Sequence, residues 1–97
     1  MKDWHDKSND SRNWVDFGDF AWLEMKRHGV PNELYQHKVI GVFQSNSWVD
    51  VPVQSPPTAV RHDDMAEVAH VVCCGLSEDR VYRVRTSDLK RVTRRNG

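Results

Sequence analysis

The chain has 97 residues, 14 of them basic and 14 acidic, and apolar side chains make up 38%. A chain this short buries only about 60–65% of its unfolded surface, so one small domain with a thin core is expected. The neutral balance excludes a uniformly basic coat protein and an acidic DNA mimic. No apolar run approaches the ~20 residues of a bilayer span, and Lys2, Asp3, His5 and Asp6 do not suit the apolar region of a secretory signal.

Residues 1–13 are polar apart from Met1 and Trp4 and read as a flexible arm, with a single domain over 14–93. A helix is predicted at about 19–28. Asp19 suits an N-cap, Lys26, Arg27 and His28 suit the negative end of the dipole, Gly29 supplies a left-handed C′ residue, and Pro31 blocks continuation. Phe20, Leu23 and Arg27 then share one stripe, with Trp22 and Met25 beside it.

From Tyr35 the period changes to two, and 12 of the 14 valines lie after position 36. β-Branched side chains suit a pleated sheet. Lys38 to Gln44 reads as a strand with Val39, Gly41 and Phe43 on one face and Ile40 and Val42 on the other. Ser45-Asn46-Ser47 reads as a hairpin loop. In Trp48 to Gln54, Val49, Val51 and Val53 point inward and Trp48, Asp50 and Pro52 outward; Pro52 marks an edge strand. Ser55-Pro56-Pro57-Thr58 is a connector and His62-Asp63-Asp64 a turn. Strands follow at Glu67 to Cys74 and Arg80 to Arg85, the latter with Tyr82 and Val84 inward and Arg83 and Arg85 outward. Ser87-Asp88-Leu89 reads as one helical turn, with Leu89 and Val92 plugging the core.

The segment Val81-Tyr82-Arg83-Val84-Arg85-Thr86-Ser87-Asp88-Leu89-Lys90-Arg91-Val92 resembles the closing portion of small SH3-like barrels. The resemblance implies an SH3-like β-barrel over about 37–93; together with the predicted helix and the basic residues at 94–97, the expected fold is α+β, an N-terminal helix packed on a strongly bent antiparallel SH3-like β-barrel followed by a basic tail. It also implies a binding module more than an enzyme, although one fold hosts many functions. The helix is expected to cover Trp48 and the Ile40/Val42 face.

Charge is segregated along the chain. Residues 80–97 hold seven basic residues against one acid, Asp88, whereas residues 1–79 hold seven against thirteen. Arg83 and Arg85 lie two apart on a strand, so they project from one face about 7 Å apart. The planar guanidinium suits phosphate or carboxylate. The expected macromolecule-binding residues are Arg83, Arg85, Lys90, Arg91, Arg94 and Arg95, and Trp48 as an aromatic anchor in the alternative where the helix leaves it bare. Aromatics lie mostly in the acidic part of the chain, which favours a protein partner over nucleic acid.

Catalytic and metal-binding patterns are weak. Cys73 and Cys74 are consecutive on a strand and point to opposite faces, and no CxxC is present. Two adjacent cysteines build no disulfide framework, which fits a reducing, cytoplasmic setting. His62-Asp63-Asp64 lacks the further ligands of metal-dependent phosphohydrolases, and the five glycines are scattered rather than gathered into a phosphate loop. The sequence therefore predicts a non-catalytic docking module without cofactor, metal or membrane partner. Short, Trp-rich, charge-polarised chains of this kind resemble phage and mobile-element accessory or inhibitor proteins. Direct nucleic-acid binding through the arginine face is the second expectation.

Overall fold

The computed structural model of the chain describes residues 14–75 and 80–94. The expected arm at 1–13 and residues 95–97 of the basic tail, with Arg95, lie outside them. Seven strands run in the order β1 (Phe20–Met25), β2 (Glu33–Ser45), β3 (Trp48–Val51), β4 (Thr58–Arg61), β5 (Ala66–Cys73), β6 (Val81–Arg85) and β7 (Lys90–Thr93), with a 3-10 turn at Thr86–Asp88. Five form an antiparallel sheet of order β6-β5-β2-β1-β7, and β3 and β4 form a separate two-stranded ribbon. No helix among the described residues is long and apolar enough to cross a membrane.

This architecture corrects several expectations. The predicted N-terminal helix is strand β1 and the turn after it. Ala21, Leu23 and Met25 are buried while Phe20, Trp22 and Glu24 face the other way, which is the two-residue alternation of a strand. The capping residues are real but serve other ends. The Asp16 backbone N–H donates to Asp19 Oδ2 at 2.8 Å, and the Val39 N–H donates to Asp19 O at 2.8 Å, which ties the start of β1 to β2. Gly29 does adopt a left-handed φ of 82°. There it turns the β1–β2 connection, where an L side chain is disfavoured.

Nor is the expected SH3-like barrel closed. β6 and β7 are opposite edges of the five-stranded sheet and do not pair. The sheet still curls, for a reason of chain length. Five flat strands would hold their outer edges ~19 Å apart at ~4.8 Å per step. The five residue steps from Arg85 to Lys90 reach at most ~17 Å fully extended, and they include a compact 3-10 turn. The ribbon lies along the open side without closing it. Ser45-Asn46-Ser47 is accordingly not a hairpin loop: β2 pairs with β1 and β5, β3 with β4, and the bend leads the chain out of the sheet.

The core holds Val15, Ala21, Leu23, Met25, Val39, Ala69, Val71, Tyr82, Val84, Leu89 and Val92. Tyr82, Val84, Leu89 and Val92 are buried as the alternation and the closing segment predicted. The long central strand β2 carries one irregularity of consequence. Its pairing with β5 shifts between Val39 and Gly41, leaving Ile40 as an extra residue. Such a bulge bends the strand and resets its alternation. Val39 and Val42 therefore both belong with the core, and Gly41 and Phe43 face outward.

Candidate macromolecule-binding face

The bulge assembles the side of the sheet that faces away from the core. Across β2, β5 and β6 the register sets Phe43, Val68 and Arg85 in one row. Gly41, His70 and Arg83 form the next, and Lys38, Val72 and Val81 the third. Directly opposed residues on one face stand within contact distance of each other. The Phe43 ring meets the His70 ring edge-on, with centroids 4.8 Å apart, and Phe43 stays 38% exposed with Ile40 and Val81 similarly open. Lys38, Arg83 and Arg85 supply positive charge. By register no carboxylate points outward from these three strands. Arg83 and Arg85 are half-buried and have no carboxylate partner among the described residues.

The other expected binding residues are dispersed. Lys90 and Arg91 are exposed on β7, at the opposite edge of the sheet, and Arg91 adopts a left-handed φ of 52° where the β1–β7 register shifts. Arg94 is half-buried just beyond β7. Trp48 lies on the ribbon, 44% exposed and paired across it with Arg61; among the described residues no α-helix covers it or Ile40. The curl does bring parts of the two edges together, because Arg85, Asp88 and Lys90 share a cleft of about 470 Å³ with Leu23, Val49 and Val60.

Sequence reasoning missed Asp50, which was expected to point outward. It is 7% exposed, because β3 lies against the free edge of β6. Its Oδ2 accepts the Arg83 backbone N–H at 2.9 Å, and its Oδ1 lies 3.2 Å from the Arg80 guanidinium. The guanidinium also sits over the Tyr82 ring at 4.8 Å. One member of the basic cluster is thus neutralised within the fold. Phe43, His70 and Lys38 were missed as neighbours of the arginines because an unforeseen bulge decides which face Phe43 occupies.

The histidine and cysteine patterns resolve into local structure. Among the described residues no group of three His, Cys, Asp or Glu converges on a metal position. His62 is 8% exposed with Nδ1 2.9 Å from Asp64 O, while Asp63 pairs with Arg61 at 3.6 Å on the surface, so this segment is a braced turn. His37 is fully buried in the core, edge-on to Tyr82. Its Nδ1 lies 2.9 Å from the Tyr35 carbonyl, which it serves as donor in the neutral ring, and Nε2 has no partner among the described residues.

Burial lowers the His37 pKa, against a smaller raising effect of the Tyr35 hydrogen bond. The folded state therefore refuses a proton that the unfolded chain takes below about pH 6.5. The resulting stability is complete above that pH and declines as pH falls toward the folded pKa, with a limiting slope of about 1.4 kcal/mol per pH unit. Urea titrations from pH 7.5 to 5 should show this decline in the wild type and a shallower one in His37→Gln. Equal slopes in the two proteins would contradict it.

No protein-family model matches the chain, and neither a curated protein nor a solved structure matches it.

Proposed function

We propose that this chain is a non-catalytic binding module that docks on another macromolecule through the outer face of β2, β5 and β6. One observation carries the reading: Ile40, Phe43 and Val81 are left exposed beside the guanidiniums of Arg83 and Arg85, which have no carboxylate partner among the described residues. Exposed apolar side chains flanked by arginine, here set around the buried Val68 of the middle strand, have the composition of interface anchors. An accessory or inhibitory role on a larger cellular machine, in a reducing cytoplasm that keeps Cys73 and Cys74 as thiols, belongs to the same reading.

A photo-crosslinking residue placed at Val81, in cells that naturally produce the protein, tests it. Position 81 should yield a discrete adduct, whereas the same residue at Val30 in the β1–β2 turn should not. Absence of any adduct at 81, or equal labelling at 30, would refute docking through this face.

A further inference from the structure

Resting on that reading of the face, we infer that its partner is a single-stranded nucleic acid, held by phosphate and base. The decisive observation is the juxtaposition that the β2 bulge creates. A chain with aromatic residues in its acidic part and arginines at its basic end folds so that Phe43 and His70 share rows with Arg85 and Arg83. Lys38, Arg83 and Arg85 give the three-strand face a positive charge that no outward carboxylate offsets, which complements a polyanion. Phosphates meet guanidinium forks well, and unpaired bases stack on exposed aromatic faces.

A duplex hides its base faces, so only a single strand reaches Phe43 and the phosphate-binding groups together. An apolar protein surface would satisfy Ile40, Phe43 and Val81 but would leave Arg83 and Arg85 desolvated without partners, which is costly. Nothing on this face reads a base edge by a fixed hydrogen-bond pattern. Binding is therefore expected to tolerate many sequences.

The probe is a fluorescein-labelled 15-mer of oligothymidylate, titrated with the full chain by anisotropy between 50 and 200 mM salt. Three cations on a single strand predict a slope of log affinity against log salt of about −2, or roughly a fifteenfold loss over that range. Replacing both arginines (Arg83→Ala with Arg85→Ala) should weaken binding at least tenfold and flatten the slope to about −0.7. Phe43→Ala should weaken it roughly tenfold at unchanged slope, because stacking releases no counterion, and Phe43→Trp should restore it. Arg61→Ala, on the ribbon, should stay within twofold of wild type. Thermal melts of each variant verify that the fold is intact.

No saturable binding at 50 mM salt, or a Phe43→Ala affinity within twofold of wild type, overturns the inference. If the oligonucleotide does not bind while the residue at 81 still crosslinks to a protein, the partner class is wrong and the docking face stands. If neither binds, both fail.

Discussion

Asp50→Ala is expected to lower the unfolding free energy by about 3 kcal/mol, a large share of the stability of so small a domain. The carboxylate is a buried polar tie between the ribbon and the five-stranded sheet, beside the Lys26 N–H bond to the Pro52 carbonyl just past β3. It accepts the Arg83 amide, which β5 does not use, and it faces the Arg80 guanidinium. Truncation leaves that edge amide without its acceptor, a penalty of roughly 1–3 kcal/mol, and removes the anion from a charge pair. Arg80 is 43% exposed on its side chain and can turn to water. That places the cost near the low end of the ~3–5 kcal/mol typical of broken buried pairs.

Asp50→Asn keeps an acceptor for Arg83 and should cost about half as much. Urea midpoints measure both changes. Amide exchange at Arg83, slow in the wild type, should accelerate in Asp50→Ala ahead of global unfolding. A loss under 1 kcal/mol, or unchanged exchange at Arg83, would show that the ribbon is held without the Asp50 carboxylate.

Sheet-forming signals are strong from Lys38 onward, where alternation, valine density and the turn before Leu89 all agree with β2, β5, β6 and the 3-10 turn. Three features are invisible locally. Gly29 and Pro31 can end a helix or turn a β-hairpin connection, and Phe20–Met25 is too short for period alone to decide. The decision is tertiary, since β1 finds strands on both sides, β2 and β7. The bulge at Ile40 depends on how β2 bends between two partners, and that single residue moves Phe43 to the face of the arginines. Asp50 alternates like a surface residue and is buried only because the ribbon lies against β6. The strand placement of Arg83 and Arg85 was legible in the sequence, while their aromatic neighbours required the register.

The identity of β1 predicts the second large effect. Leu23→Ala should cost about 3 kcal/mol, since Leu23 is 2% exposed within the core and leucine truncations that leave a cavity cost ~2.7–5 kcal/mol. The expected value sits low in that range because Leu23 also lines the cleft, where surrounding groups and water can relax into the space. Phe20→Ala removes more atoms yet should cost no more than about half as much, because Phe20 lies on the opposite face and is only half-buried. A helix over 19–28 would place Phe20 and Leu23 on one stripe and make the two truncations comparable. Denaturant unfolding of the two variants distinguishes these periods directly. Equal losses, or a greater loss at Phe20, would contradict the strand and the β1–β2 and β1–β7 pairings that position the rest of the sheet.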